Sequence, residues 1–155
     1  MIALPEKSIH LIACSAKKAK TRRIAVYLYQ GDLFRKALKI AEACKRKNGD
    51  SFFILSAKHG LLDPYSALEP YEKRMPTSKA ERELWADLTF TALRQLRCYR
   101  EASSVIFWTG QDYWEGLASR IRSDGFRSKT VLTPLSSQGI GKQKQLLNKY
   151  LEVVS

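Results

Sequence analysis

The stretch IHLIACSAKKAK (residues 9–20) joins a run of apolar residues to a polar, basic segment. Three more short apolar runs lie further along the chain: FFIL (52–55), SVIFW (104–108) and KTVLT (129–133). Hydrophobicity in these runs is continuous rather than alternating, which is typical of parallel strands covered on both faces. The four runs therefore predict a four-stranded parallel sheet.

Helical patterns separate the predicted strands, over residues 32–47, 78–98, 113–122 and 141–152. Asp32 is placed to cap the first helix, and Ser78-x-x-Glu81 and Asp112-x-x-Glu115 have the spacing of capping boxes. In the second helix we expect an inward face of Trp85, Leu88, Ala92 and Leu96. Strand–helix alternation over 155 residues predicts a single domain, an α/β chain folded as a three-layer α/β/α sandwich.

Composition excludes several classes of protein. With 45% hydrophobic residues the chain is globular, and no apolar run approaches the ~20 residues of a membrane span. Three widely spaced cysteines form no C-x-x-C pair, which argues against a disulfide framework and against a cysteine-based metal site. The N-terminus lacks the features of a signal peptide. We expect a cytoplasmic protein with no cofactor and no metal.

Charge points to a polyanionic partner. Lys and Arg number 27 against 15 acidic residues, a formal net charge of +12. Such an excess attracts nucleic acid, the commonest polyanion in a cytoplasm. The basic residues cluster in KKAKTRR (17–23), KRK (45–47) and GKQKQ (141–145).

In open α/β sheets, ligands bind beyond the carboxyl ends of the strands. Four polar segments leave those ends: CSAKKAK (14–20), SAKHGLLDP (56–64), TGQDYW (109–114) and TPLSSQGIGKQ (133–143). The second belongs to a connection of about twenty residues, far longer than the usual 4–6. Its prolines suit a loop whose side chains are held in one geometry. We therefore expect the four segments to build one site.

Several residue types in these segments suit acid–base chemistry. His59 is the better placed of the two histidines to act as a base, and Glu69 or Asp63 is suited to activating a water molecule. Tyr71 offers a flat face to a nucleobase. Cys14 and Lys18 are a candidate nucleophile and cation, although a lone cysteine is often a core residue. Lys142, after two glycines, is a candidate phosphate ligand.

Taken together, the motifs CSxxK (14–18), YxGxLFRKA (29–37), LSAKHGLLxP (55–64), EPY (69–71), GxxY (110–113) and GIGxQ (139–143) resemble a family of small bacterial and phage proteins. The loop of 55–75 is also similar to that of the YaaA peroxide-response proteins. The Cys-x-x-x-Lys pattern resembles the core of archaeosine synthase, in which Pro-Tyr follows where this chain has Ala19-Lys20.

The fold implied by this wider group is that of uracil-DNA glycosylase. PLSSQGIG (134–141) resembles the serine-rich loop that grips DNA in those enzymes, and VIFWTGQDYW (105–114) resembles their water-activating loop. The family is also similar to anti-phage DNA glycosylases that remove modified bases. The resemblance thus implies hydrolysis of the N-glycosidic bond of a modified base, such as glucosylated hydroxymethylcytosine, leaving an abasic site in double-stranded or locally unpaired DNA.

On this interpretation Glu69 or Asp112 activates water and stabilises the sugar cation, with His59 and Lys18 completing the catalytic set. The expected base pocket consists of Cys14, Ser15, Ser56, Asp63, Tyr71, Gln111 and Tyr113. The expected DNA-binding residues are Lys17, Lys20, Arg22, Arg23, Lys58, Arg74, Ser136, Ser137, Gln138 and Lys142. We expect no membrane contact and no obligate protein partner.

Two alternatives use the same residues differently. A base-modifying transferase related to archaeosine synthase would use Cys14 and Lys18 and would require a small co-substrate. A binding protein like the YaaA group would grip DNA without turnover, and would keep its effect when Glu69 or Asp112 is replaced. Attack by Lys18 itself would give a strand-nicking lyase through a Schiff base.

Overall fold

The computed structural model describes residues 7–125, 129–135 and 139–154. The strands in these ranges are β1 (Ser8–Ala13), β2 (Arg23–Ile24), β3 (Ser51–Ser56), β4 (Gly60–Leu62), β5 (Ala67–Leu68), β6 (Ser104–Trp108) and β7 (Thr130–Leu132). The helices are α1 (Ala25–Leu28), α2 (Asp32–Asn48), α3 (Lys79–Arg94), α4 (Arg97–Glu101), α5 (Gln111–Arg122) and α6 (Ile140–Val154). All four predicted apolar runs are strands.

The main sheet is mixed and has five strands, in the order β4-β3-β1-β6-β7. Strands β3, β1, β6 and β7 run parallel, as predicted. The prediction of a purely parallel, four-stranded sheet is wrong, because β4 turns back from β3 and pairs with it antiparallel, with Ser56 opposite Gly60. Gly60 has φ +68°, a left-handed conformation that glycine adopts without the strain of a side chain. The extra strand therefore comes from residues that the sequence suggested were loop.

The rest of the long connection is also ordered by pairing. Strand β5 pairs antiparallel with β2, and the backbone N–H groups of Ala25 and Val26 donate to the carbonyl oxygens of Ser66 and Pro64. The connection of 55–76 is thus tied to the segment that follows β1. The pairing of β5 with β2 is therefore a structural reason for the length of this connection.

Side chains on the two faces of the sheet belong to two separate cores. Ile12, Ile54 and Ile106 pack with α2 and α6. Leu11, Leu55 and Phe107 pack with residues of α3, α4 and α5. Helices therefore cover the sheet on both sides, which explains why the strands are continuously apolar. Among the described residues, no helix combines the length and apolar character needed for a bilayer crossing.

The N-cap residues of the helices agree with the prediction for α3 and differ from it for α2 and α5. Ser78 caps α3 as expected, accepting the N–H of Glu81 at 3.1 Å. Asp32 and Asp112 are not N-caps: Gly31 and Gly110 occupy the cap positions, and each aspartate lies in the first turn.

The predicted helix of 78–98 is two helices, α3 and α4, separated at Gln95 and Leu96. The predicted inward position of Leu88 is wrong, because its side chain is 64% exposed. The buried face of α3 is instead formed by Ala86, Thr89 and Leu93. Trp85 is half-buried and donates from Nε1 to the carbonyl oxygen of Ser56 at 2.9 Å.

Candidate functional site

A cavity of about 650 Å³ opens at the carboxyl ends of β1 and β6. From β1 the chain passes to β3 on one side, and it later returns to β6 on the other side, so these neighbouring strands form the switch point of the sheet. Such crevices are the usual ligand sites of open α/β sheets. The volume lies within the about 300–1,000 Å³ typical of small-molecule pockets.

Three of the four predicted segments meet at this cavity. Its walls include Cys14–Lys17 after β1, Thr109–Tyr113 after β6, and Leu135, Ile140, Gln143 and Lys144 from the last part of the chain. The segment after β3 does not contribute to the lining formed by the described residues. The first turn of α5 brings Gln111, Asp112 and Tyr113 to the cavity together.

Asp112 is the predicted catalytic residue that lies at the cavity wall. Its carboxylate is 61% exposed and lies 3.3 Å from the guanidinium of Arg82, which is on α3. An anion in the first turn of a helix is favoured by the helix dipole. The carboxylate is thus held beside the cavity while remaining open to solvent.

Cys14 and Tyr113 join two walls of the cavity. The Cys14 Sγ and Tyr113 Oη atoms are 3.3 Å apart and form a hydrogen bond between the loops that follow β1 and β6. Burial, and then the neighbouring thiol, raise the pKa of Tyr113. The phenol therefore stays neutral at physiological pH and keeps a proton to donate.

Asp32 is a cavity residue whose role the sequence did not indicate beyond that of a helix cap. Its carboxylate lies 3.3 Å from Lys144 Nζ on α6 and 3.4 Å from Lys36 Nζ. Hydrogen bonds from Lys144 and then Lys36 lower the pKa of Asp32. Lys144 was also missed, because no sequence pattern shows that α6 returns to the start of α2.

Ser56 and Tyr71 belong to a buried hydroxyl cluster instead of the cavity wall. The Ser56 Oγ and Tyr71 Oη atoms are 2.6 Å apart, and Tyr71 is also hydrogen-bonded to the hydroxyl of Tyr29. Tyr71 is 9% exposed and Tyr29 is 1% exposed. Burial raises the pKa of both phenols. The ring of Tyr71 is thus enclosed by protein.

Cations and the His59 ring surround Tyr71. Lys18 Nζ lies 4.5 Å and Lys58 Nζ 5.4 Å from the centre of the Tyr71 ring. The exposed His59 ring packs edge-on against the same ring, with centroids 5.1 Å apart. Partial desolvation of the ring where it packs on Tyr71, and then the charge of Lys58, lower the pKa of His59. These residues adjoin the buried cluster, and the cavity is lined by others.

The acids of the long connection point outward. Glu69 is 69% exposed, and its carboxylate lies 4.0 Å from Arg22. Asp63 is exposed and accepts the N–H of Tyr65 at 2.8 Å, a local turn interaction. Arg74 is exposed as well. The structure therefore does not bring Glu69 or Asp63 to the cavity, and the long connection places no acid at the cavity wall.

The predicted DNA-binding residues fall into two groups. Lys17, Lys20, Arg22 and Arg23 are exposed on the segment after β1, and Lys142 is exposed in the first turn of α6. Ser15, which was predicted as part of the base pocket, lies at the cavity wall and accepts the N–H of Gly31 at 3.1 Å. Ser136, Ser137 and Gln138 lie outside the described residues.

Within the described ranges one group of potential metal ligands lies together: His10, Cys44 and Asp50, with ligand atoms within 4.8 Å of one another. Trp108 Nε1 donates to His10 Nδ1 at 2.9 Å, so Nδ1 carries no proton. Nε2 then carries the proton of the neutral ring and donates it to Asp50 at 2.8 Å. A metal on Nε2 would require an imidazolate, so this triad does not fit a metal ion.

No curated protein and no solved structure matches the sequence. One family model does, over residues 9–149, and this range includes every element from β1 to most of α6 as well as the whole described lining of the cavity. On that match, the chain belongs to the family of unknown function DUF6884.

Proposed function

We propose that this protein is a DNA glycosylase with a uracil-DNA-glycosylase-like α/β/α fold, which hydrolyses the N-glycosidic bond of a modified base. The observation that carries the proposal is the cavity at the switch point, with Asp112 among its lining residues, in a chain of formal net charge +12. The cavity is large enough for an extruded nucleoside, and base extrusion is how enzymes reach an atom hidden in a duplex.

Asp112 suits the chemistry of this bond. When the bond between the sugar carbon and the base nitrogen breaks, its electron pair leaves with the base and positive charge develops on the sugar. A carboxylate stabilises that charge and accepts a proton from the water that attacks the sugar carbon. Gln111 and the neutral phenol of Tyr113, both at the cavity wall, supply hydrogen-bond donors to the departing base.

Asp112 is preferred to Glu69 on geometry. Asp112 lines the cavity and is held by Arg82. Glu69 is directed to solvent beside Arg22. The proposal therefore assigns Cys14, Ser15, Gln111 and Tyr113 to the base pocket, and gives Ser56, Asp63, Tyr71 and His59 no direct contact with the base.

The test is incubation of the purified protein with unmodified, uracil-containing, hydroxymethylated and glucosylated phage DNA, followed by alkali and a denaturing gel. We expect strand breaks in one modified DNA and a loss of at least about 100-fold in rate for Asp112→Asn. Asp87→Asn is the matched control, because Asp87 is also an exposed helical aspartate paired with an arginine, at 2.8 Å from Arg120. Intact strands with every DNA, or equal loss in both variants, would contradict the proposal.

One observation favours a second candidate, a base-modifying transferase. The half-buried Cys14 lines the cavity, where its thiol can reach a bound base. Such an enzyme would release or exchange a base only when a small amine or base is supplied as co-substrate. Incorporation of a labelled co-substrate into DNA, abolished in Cys14→Ser and retained in Asp112→Asn, would replace the glycosylase proposal by this one.

A further inference from the structure

The segment of residues 15–31, here called the basic hairpin, leaves β1 and folds back on itself before α2. Ala19 N–H donates to the Leu28 carbonyl at 2.8 Å, and Gln30 N–H donates to the Lys17 carbonyl at 2.9 Å. The hairpin contains five cations and no acidic residue: Lys17, Lys18, Lys20, Arg22 and Arg23. It therefore presents a concentrated positive charge that the fold holds in place.

Two large apolar side chains are exposed on the part of the hairpin that follows these cations. The single turn of α1 buries Ala25, Val26 and Leu28 and directs Tyr27 outward, where it is 67% exposed. Ile24 is 41% exposed beside it. Tyr29, two residues further on, is 1% exposed and hydrogen-bonded inside the protein, so the hairpin uses one tyrosine for its core and leaves the other at the surface.

Cations and an exposed aromatic ring on one segment are features that bind single-stranded nucleic acid. The cations contact phosphates, and the ring stacks on a base whose face is open. In an intact duplex each base face is covered by its neighbours, so a lone exposed tyrosine has little to stack on. The chemistry of the hairpin thus favours an unpaired strand over a duplex.

The hairpin adjoins the cavity at both of its ends. Ser15, Ala16 and Lys17 at its start and Gly31 at its end line the cavity wall. A DNA strand lying along the hairpin therefore ends at the cavity. Two exposed acids lie near this route: Glu69, whose carboxylate is 4.0 Å from Arg22, and Asp32, which follows Gly31 at the cavity wall and is paired with Lys36 and Lys144.

We propose that the basic hairpin binds single-stranded DNA, with phosphates on Lys20, Arg22 and Arg23 and one unpaired base stacked on Tyr27. This inference deepens the proposed function and rests on it for the choice of DNA. It assigns to Tyr27 and Ile24 a role in holding the strand whose modified base enters the cavity.

The experiment measures the fluorescence anisotropy of a labelled, unmodified oligothymidylate. A self-complementary DNA duplex and an acidic polypeptide serve as competitors. We expect Tyr27→Ala to weaken binding at least about fivefold and Tyr27→Phe to retain it, because stacking needs the ring and not the hydroxyl. Leu88→Ala, which removes a comparably exposed side chain from α3, should change nothing.

Charge is tested by salt dependence. Arg22→Gln/Arg23→Gln should make the negative slope of log affinity against log salt shallower by about 1.4, which is about 0.7 for each lost phosphate contact. The control is Arg97→Gln/Arg122→Gln on the opposite face of the sheet, where Arg97 also has an exposed glutamate partner, Glu101. Glu69→Gln should tighten binding roughly twofold, because it removes a negative charge that repels the DNA phosphates near Arg22.

The outcomes separate this inference from the glycosylase proposal, because the probe carries no modified base. If the affinity for oligothymidylate falls in the Tyr27 and arginine variants but no DNA loses a base, the DNA-binding role of the basic hairpin is supported and the glycosylase proposal is overturned. If Tyr27→Ala leaves the rate of base release from single-stranded DNA unchanged, the proposed role of the basic hairpin is overturned. Stronger competition by the duplex or by the acidic polypeptide than by unlabelled oligothymidylate would also overturn it.

Discussion

The hydroxyl of Ser56 ties three parts of the chain together from a position that solvent does not reach. It accepts the N–H groups of Lys58 at 3.2 Å and His59 at 3.0 Å. Both lone pairs are then used, and its one hydrogen is left for Tyr71 Oη at 2.6 Å. Tyr71 in turn donates to Tyr29. Ser56 therefore fixes the direction of a hydrogen-bond chain that joins the turn after β3 to the basic hairpin.

Replacing Ser56 by alanine should be costly for its size. Ser56→Ala leaves two backbone N–H groups and the acceptor side of Tyr71 without their partner, and we expect a loss of about 1–3 kcal/mol in the free energy of unfolding. Urea unfolding measures it, with Ser119→Ala on the exposed face of α5 as a control that stays within about 0.5 kcal/mol. A loss for Ser56→Ala no larger than that of the control would show that the cluster contributes nothing.

The hydrogen bonds of His10 predict that zinc does not bind at this residue. Because Trp108 donates to Nδ1 and Asp50 accepts from Nε2, neither ring nitrogen is available to zinc. Stoichiometric zinc should leave the melting temperature unchanged, whereas a specific ligand of the folded state would raise it. A rise in melting temperature that disappears in Cys44→Ser would contradict the assignment of the His10 proton to Nε2. It would show that His10, Cys44 and Asp50 bind zinc.

At the scale of the element, strand β4 depends on Gly60. A Cβ atom added there would lie 3.0 Å from Thr89 Oγ1, which is held by its own hydrogen bond to the Trp85 carbonyl. Gly49 has a similar φ of +74°, with nothing within 4 Å of the added atom. We expect Gly49→Ala to cost about 1 kcal/mol for backbone strain alone, and Gly60→Ala about 1 kcal/mol more.

Thermal or urea unfolding of both alanine variants gives the comparison. Adding Thr89→Ala to Gly60→Ala should recover the extra cost, and the double-mutant cycle isolates the contact from the loss of the threonine itself. Equal costs at Gly49 and Gly60, with no coupling to Thr89, would mean that the strand shifts to admit a side chain.

Elements differ in how far their sequence specifies them. The strands β1, β3 and β6 are recognisable because residues on both of their faces are buried, so Ile9, Ile12 and their equivalents form unbroken apolar runs. In β7 the apolar Val131 and Leu132 are partly buried and pack against the two cores. Strand β4 (GLL) and strand β5 (AL) are too short to show any period, and their partners alone make them strands. The face of α3 was misjudged at Leu88 because the large apolar residues of this helix do not mark its buried face. Leu84 and Leu88 are exposed, whereas the smaller Ala86 and Thr89 are buried with Leu93.

At the scale of the whole molecule, the location of the cavity could be predicted, since polar segments after parallel strands must meet at one edge of the sheet. The choice of acid could not. Asp112 lies in one of these segments and Glu69 lies further along the connection that begins with another. The sequence does not show that Glu69, directly after β5, is exposed beside Arg22. Asp32 and Lys144 come together because α2 packs on α6, a contact between distant parts of the sequence.

Buried proton donors throughout the molecule predict sensitivity to alkali. Burial, and then the charge of Asp50, raise the pKa of Cys44 from 9.0 to about 11. Burial likewise raises the pKa values of Tyr29, Tyr71, Tyr99 and Tyr113 above 10.0. Between pH 9 and 11 the folded state keeps a proton at Cys44 that the unfolded state releases. Stability is therefore complete below pH 9 and falls as the pH rises through this window.

The measurement is the free energy of unfolding in urea at several values between pH 8 and pH 11. Wild-type protein should lose about 2–3 kcal/mol through Cys44 alone, from two pKa units at about 1.4 kcal/mol each, with the tyrosines adding to the loss above pH 10. Cys44→Ser keeps a small polar group at the position and cannot titrate there, so its stability should fall less steeply between pH 9 and 10. Identical slopes in the two proteins over that interval would show that Cys44 is not the group responsible, and would leave the tyrosine hydroxyls to account for the alkaline loss.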